Sequence, residues 1–227
     1  MTPIYLIINL ATIIFPLVRS FEPRIKYAKK WYALFPAIII TATFFIVWDV
    51  VFTKNGVWGF NENYLIGVDI FGLPLEEWLF FITVPFASVF IYECIRYFLP
   101  MIRTSLWLRT FSTAFSLGLI LVATYNWELS YTFWCFCFTG IFLTIISYQN
   151  PIWLGKFWVA YFIHLIPFIA VNGILTGSYL DAPIVWYNDD HNVGFRLFTI
   201  PIEDTIYAML LLLMNVTFFE YFRKHFR

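Results

Sequence analysis

Residues 66–77 read IGVDIFGLPLEE, and residues 193–204 read VGFRLFTIPIED. The glycine, the proline and the first acid of the earlier stretch return in the later one at a constant offset of 127 residues, as from position 76 to position 203. Three matches at one offset over this distance indicate an internal repeat. In both copies the proline and the pair of acids stand directly before a long apolar run.

Seven apolar runs approach the ~20 residues that a helix needs to cross a bilayer. They lie at residues 4–18, 33–52, 78–98, 111–125, 131–148, 157–175 and 205–222. The chain is 61% hydrophobic and 12% charged, with a mean hydropathy of +0.77. Soluble domains are nearer half apolar and about a quarter charged. We therefore predict an all-α integral membrane protein with about seven transmembrane helices.

The basic residues predict the orientation. If the N-terminus lies outside, twelve of the fourteen Lys and Arg residues fall on the cytoplasmic side, and only Lys54 and Arg196 do not. This matches the positive-inside rule and places the C-terminus in the cytoplasm. The expected location is a membrane, which would be the cell membrane in a prokaryote. A net charge of zero gives no basic surface for nucleic acid.

The repeat divides the chain into two matching units of three spans. We predict a first repeat at residues 1–105, a linker helix at 106–127 and a second repeat at 128–227. An offset of four spans preserves orientation, so the repeats would be parallel (a 3+1+3 arrangement). Binding sites in such proteins tend to lie where the repeats meet.

The paired acids are Glu76 with Glu77 and Glu203 with Asp204. Acids in the first turn of a helix stabilise it, so helix capping is one interpretation. Ionisable groups at membrane depth are costly, however, and are candidates for function. A protonated carboxyl group, an ionised one and aromatic walls are sufficient to protonate an alkene, stabilise the cation and remove a proton. These residue types permit such a reaction without singling it out.

Aromatic residues make up 23% of the chain, more than interfacial belts alone require. Some of them are expected to line a site for an apolar or cationic molecule. Weaker candidates for substrate binding share a position near the outer loops or beside the acids: Asp49, Asn172, Trp58, Trp186, Phe80 and Tyr207. Asp49 and Asn172 are equally compatible with polar residues at helix ends.

The two motifs at residues 73–81 (LPLEEWLFF) and 200–207 (IPIEDTIY) resemble the paired signatures of the membrane-type lycopene cyclases. Residues 56–61 (GVWGFN) and 172–177 (NGILTG) fit the same family. The resemblance covers essentially the whole chain, with both halves fused in one polypeptide. It implies that Glu76 and Glu203 are the principal acid/base pair and that Glu77 and Asp204 occupy the second acidic position.

The resemblance also implies a reaction. The linear ψ end group of lycopene is protonated at its terminal double bond, the cation closes on the next alkene, and proton loss gives a β-ionone ring. Two such events lead through γ-carotene to β-carotene. No cofactor or metal is expected, and the chain contains no G-x-G-x-x-G signature for a flavin. Expected partners are lycopene or a related carotenoid, the lipid bilayer and, in addition, other enzymes of carotenoid biosynthesis.

Other functions remain open at this point. A 3+1+3 arrangement also describes some small transporters, although the spans after the acids are apolar and a transport path needs polar side chains. A retinal protein would require a lysine inside the last span, and Lys224 lies beyond it. A non-catalytic carotenoid-binding subunit is separated from an enzyme only by an activity assay.

Three further local features carry predictions. His164, inside the sixth span, is expected to hydrogen-bond a neighbouring helix, with proton transfer as the alternative. Residues 188–191 (NDDH) are expected to form a turn rather than a metal site. Glu93 and Glu220 are expected to pair with Arg96 and Arg223 at helical spacing.

Overall fold

The computed structural model describes residues 3–226 and is mostly helical. Within that range the chain forms seven α-helices: α1 (Ile4–Arg19), α2 (Trp31–Lys54), α3 (Leu75–Phe98), α4 (Leu106–Tyr125), α5 (Ser130–Gln149), α6 (Leu154–Leu175) and α7 (Ile202–His225). Each helix contains one of the predicted apolar runs. Arg227, one of the basic residues assigned to the cytoplasmic side, lies outside the described residues.

Six of these helices, α2 to α7, are long and apolar enough to cross a membrane. The first helix, α1, has 16 residues. At 1.5 Å per residue it is about 24 Å long, which is less than the roughly 30 Å of a bilayer core. The structure therefore fits a multi-pass membrane protein, and the crossing of α1 stays a prediction.

Helices α3 and α7 hold the bundle together. Helix α3 packs against α1, α2, α6 and α7, and α7 packs against α2, α3, α5 and α6. Helix α4 lies at the edge, mainly against α5. Proline occurs inside four helices, as Pro16, Pro36, Pro85 and Pro167. Transmembrane helices tolerate proline because neighbouring helices can satisfy the backbone groups that it frees.

The long loops before α3 and α7 contain short strands that the sequence analysis did not predict. In the first loop β2 (Asp69–Ile70) pairs with β3 (Leu73–Pro74), and in the second β5 (Arg196–Leu197) pairs with β6 (Ile200–Pro201). In each hairpin both strands are two residues long, and the second strand ends at the proline that directly precedes the helix. The all-α prediction therefore describes the helices correctly and leaves out these loops.

One further strand pair connects the two loops. Strand β1 (Trp58–Phe60) runs antiparallel to β4 (Val185–Tyr187), and the register places Trp58 opposite Tyr187. The two strands come from corresponding positions in the two sequence repeats. Their pairing joins the loops above the helix bundle, so that side chains from both halves of the chain are brought together there.

At the opposite end of α3 and α7, five charged side chains form a network. Buried Glu93 binds Lys30 and Arg96, while Glu220 binds Arg223 and lies 3.6 Å from Arg96. The predicted pairs of Glu93 with Arg96 and of Glu220 with Arg223 are confirmed. The network connects the start of α2 to the ends of α3 and α7, and therefore fixes the helices that carry the acids.

Candidate active site

The first acid of each pair turns toward its own loop. Glu76 Oε1 accepts a hydrogen bond from the backbone N–H of Ile66 at 2.7 Å, and Glu203 Oε1 accepts one from Val193 N–H at 2.9 Å. The offset between the two donors is again 127 residues. Thr132 donates a second hydrogen bond to Glu203 at 2.6 Å. Both carboxyl groups are fully buried and anchor the loops to the helix starts.

The second acid of each pair faces inward. Glu77 from α3 and Asp204 from α7 line one buried cavity of about 60 Å³, together with Asp49 from α2. The three residues are 8%, 3% and 2% exposed. No Lys or Arg among the described residues lines this cavity. Three carboxyl groups from both halves of the chain therefore converge without a basic partner.

Asp204 receives three hydrogen bonds. Tyr131 donates at 2.5 Å, the Asn172 side-chain amide at 2.7 Å and Tyr187 at 3.0 Å. Tyr187 lies in β4, above the spans, where burial and the nearby Asp204 carboxylate raise the pKa of its phenol well above the ordinary value. Tyr187 therefore stays protonated and keeps donating. This number of donors suits an ionised carboxylate, which can only accept.

Asp49 and Glu77 form a pair on the other side of the cavity. Trp58 donates its indole N–H to Asp49, and Tyr5 donates its hydroxyl to Glu77. Both carboxyl groups line the same buried cavity, and no Lys or Arg among the described residues lines it. Two carboxyl groups buried in one cavity without a basic partner disfavour a second negative charge, so that one of them retains its proton. The pair is therefore built to hold one proton.

Aromatic rings enclose the carboxyl groups. Tyr131 stacks on Tyr187 with ring centres 5.8 Å apart, and Trp58 meets Tyr131 edge-on at 5.1 Å. Tyr207 and Phe80 also line the cavity. Ring faces attract cations, and they do so more strongly when water is absent. The cavity thus combines proton-carrying groups with walls that stabilise positive charge.

Most of the side chains predicted for substrate binding meet in this cavity. Asp49, Asn172, Trp58, Phe80 and Tyr207 all line it. Trp186 is not among the residues lining it, and its ring is 43% exposed. That ring covers Gly59, where it leaves no room for a Cβ atom. Glu76 and Glu203 do not line the cavity; they lie in the first turns of α3 and α7 and bind the backbone of the preceding loops.

Three tyrosines of the site were not predicted: Tyr5, Tyr131 and Tyr187. The repeat carries a signal for the first two, because Tyr5 and Tyr131 lie 126 residues apart, close to the offset of the acidic motifs. Each donates to the second acid of its own half. Extending the repeat into the first helix of each unit would have identified them. The place of Tyr187 in the site depends on the pairing of β1 with β4, which the sequence analysis did not predict.

Two other predicted features are confirmed. His164 Nδ1 lies 3.1 Å from the Ser88 hydroxyl of α3, so it does hydrogen-bond a neighbouring helix. Residues 188–191 form a turn in which the Asn188 side chain accepts a hydrogen bond from the backbone of Asp190 at 3.0 Å. His164 also lines the carboxylate cavity.

The fold and the site fit a helical, multi-pass membrane protein with a buried acidic and aromatic cavity. The chain matches the family model described as lycopene cyclase over residues 2–95 and 128–222. It therefore belongs to the lycopene cyclase family, and the match covers two repeat-like regions on either side of α4. Membership assigns it a role as an enzyme of carotenoid cyclisation. No curated protein and no solved structure matches the chain.

Proposed function

We propose that the protein is a lycopene β-cyclase, which converts ψ end groups into β-ionone rings without any redox change. The observation that carries this proposal is the convergence of Asp49, Glu77 and Asp204 in one aromatic cavity. The family match supports the class of reaction. The proposed architecture is seven spans in two parallel three-helix repeats joined by α4, with the N-terminus outside and the C-terminus in the cytoplasm.

In the proposed mechanism the proton shared by Asp49 and Glu77 is transferred to the terminal double bond of the end group. The tertiary cation that results is attacked by the next alkene, and a carbon–carbon bond closes the ring. The cation left on the ring loses a proton to ionised Asp204, and the ring double bond forms. One proton is added and one removed, so the reaction is redox-neutral. Before the next turnover, the proton on Asp204 returns to the Asp49–Glu77 pair across the cavity that the three residues line.

The two halves of the chain therefore take different roles in the proposal. In the first half a carboxyl pair holds the proton. In the second half, at the corresponding position, Asn172 donates a hydrogen bond to Asp204 instead of sharing a proton with it. The family resemblance implies that Glu76 and Glu203 are the acid/base pair, whereas this proposal assigns that role to Glu77 and Asp204. Glu76 and Glu203 act as positioning residues that hold the loops over the cavity.

The direct test is expression of the chain alone in a bacterium that accumulates lycopene, followed by chromatography of the pigments. Conversion to β-carotene is expected. Accumulation of γ-carotene alone would limit the protein to one end of the substrate. Unchanged lycopene, with the protein verified in the membrane, would contradict the proposal and favour a non-catalytic carotenoid-binding subunit.

Trp58 and Trp186 provide a matched pair of predictions. Trp58→Phe removes the indole N–H that binds Asp49. A hydrogen bond to a charged group contributes about 1.5–3 kcal/mol, so we expect a loss of roughly 10- to 100-fold in turnover. Trp186→Phe changes an exposed ring outside the cavity and should leave turnover nearly unchanged. Initial rates of cyclisation in reconstituted vesicles would measure the turnover of both variants. Equal losses of turnover in Trp58→Phe and Trp186→Phe would argue against a specific role for the hydrogen bond from Trp58 to Asp49.

A further inference from the structure

A second and much larger cavity adjoins the carboxylate cavity. It is a groove of about 610 Å³ between α1, α3 and α6. Its walls are almost entirely apolar, with Ala11 and Phe15 from α1, Ala87 and Ile91 from α3, and Ala170 from α6. A volume in the range of about 300–1,000 Å³ is typical of sites for small organic ligands. The groove is therefore large enough to hold most of an extended hydrocarbon.

The groove and the carboxylate cavity are adjacent. Five residues line both of them: Phe80, Val84, His164, Phe168 and Asn172. This shared set, which we call the junction, lies between the open groove and the carboxyl groups. A cavity of about 60 Å³ has room for only a few waters. An end group therefore reaches the acids only when side chains of the junction move aside.

The groove opens toward the lipid between α1 and α6. Phe15 is 65% exposed and Ile163 is 39% exposed, and Ala11 and Ala170 are also exposed. Along α3 the groove runs from Phe80 to Ile95. Fifteen residue steps at 1.5 Å correspond to about 22 Å. This length lies within the roughly 30 Å of a bilayer core, so a molecule dissolved in the hydrocarbon can enter sideways.

We infer that the polyene arm of the substrate lies in this groove while one end group occupies the carboxylate cavity. This inference rests on the proposed function. A phospholipid is a poorer occupant, because a headgroup at the inner end would meet three carboxyl groups and no Lys or Arg among the described residues. A linear hydrocarbon with an apolar end group suits both the groove and its inner end.

The arrangement has a consequence for the order of events. Only one end of the substrate can reach the acids at a time, because the groove leads to a single carboxylate cavity among the described residues. The far end remains in the lipid. After one ring has formed, the molecule must withdraw and enter again by its other end, and γ-carotene should therefore appear free in the membrane before β-carotene.

The test uses Ala87→Trp, which fills the middle of the groove, and Ala170→Trp, which narrows its lipid edge. The control is Ala114→Trp on the exposed face of α4, which lines neither cavity. Each purified protein in vesicles is given lycopene or a short analogue that carries one ψ end group and only a few carbons of the polyene. Thermal melting of each variant shows whether it folds.

We expect the groove variants to lose at least about tenfold in lycopene cyclisation, since forcing an indole ring and the polyene arm into the same space costs about 1.4 kcal/mol or more, which corresponds to that factor. The short analogue should react within about twofold of the unmodified rate in the same variants, because it occupies only the junction and does not fill the length of the groove. Ala114→Trp should be normal with both substrates. If Ala87→Trp does not fold, the result for Ala170→Trp decides the test, because Ala170 is exposed at the edge of the groove and not part of the packed interior.

Three results would overturn the inference. Normal lycopene turnover in the groove variants would show that the arm lies elsewhere, or that the groove holds a lipid chain, while the proposed function stands. Equal losses of turnover with lycopene and with the short analogue would show that the substitutions disturb the carboxyl groups and not the binding of the polyene arm. Failure of the unmodified protein to cyclise either substrate would remove the proposed function, and the inference with it.

Discussion

Glu77→Gln and Asp204→Asn are each expected to lower lycopene cyclisation by roughly 10²–10⁴-fold, the usual contribution of a general acid or base. Each substitution keeps the size of the side chain and removes its ability to gain and lose a proton. Both carboxyl groups lie in the aromatic cavity, where Tyr5 donates to Glu77 and Tyr131 to Asp204. Initial rates in vesicles, normalised to the amount of inserted protein, would measure the effect.

The matched controls are Glu76→Gln and Glu203→Gln, one residue earlier in each motif. A glutamine keeps a carbonyl oxygen that can accept the backbone N–H of Ile66 or Val193. We therefore expect losses of less than about tenfold, since only the charge assistance of the hydrogen bonds to that oxygen disappears: one for Glu76 and two for Glu203. If instead the controls lost activity while Glu77→Gln and Asp204→Asn kept it, the acid/base pair would be Glu76 and Glu203, as the family resemblance implied.

Asp49→Asn is expected to have an effect of similar size, a loss of at least about a hundredfold. The asparagine still accepts the Trp58 N–H through its oxygen, so the local geometry is kept. It can no longer share a proton with Glu77, however. In the proposed mechanism Glu77 alone would then have to hold the proton that is transferred to the alkene.

The matched control for Asp49→Asn is Asp69→Asn. Asp69 is an exposed carboxylate in β2 that accepts the N–H of Gly72 at 2.8 Å, and asparagine can do the same. It should cyclise lycopene at the normal rate. A second informative variant adds Asn172→Asp to Asp49→Asn, which moves the carboxyl pair to the other half of the chain. Full activity of Asp49→Asn by itself would contradict the shared-proton assignment.

The helices could be predicted from the sequence because each apolar run is long and bounded by charge or by proline. The acidic motifs could be predicted because the repeat recurs at one offset. Which acid of each pair enters the cavity could not be predicted. Adjacent residues of a helix point about 100° apart, so the answer depends on how α3 and α7 are rotated in the bundle. That rotation is set by packing against four neighbouring helices.

The aromatic part of the site was only partly predictable, for a related reason. Trp58 and Trp186 look equivalent in the two loops, yet only Trp58 enters the cavity. Side chains alternate between the faces of a strand, so the register of β1 with β4 decides which ring points inward. In this register Trp58 faces Tyr187, while Gly59 faces Trp186. Contacts between residues so far apart leave no local signal in the sequence.

Helix α4 supplies no side chain to either cavity, although it lies between the two halves that supply all of them. In the proposed architecture the reaction centre forms where two units of one chain meet, and α4 with its flanking loops connects these units as a tether. A short tether gives its ends an effective concentration in the millimolar range. Because both units belong to one chain, they meet in an intramolecular step. The fraction of the protein that has an assembled site therefore does not depend on the concentration of the protein in the membrane.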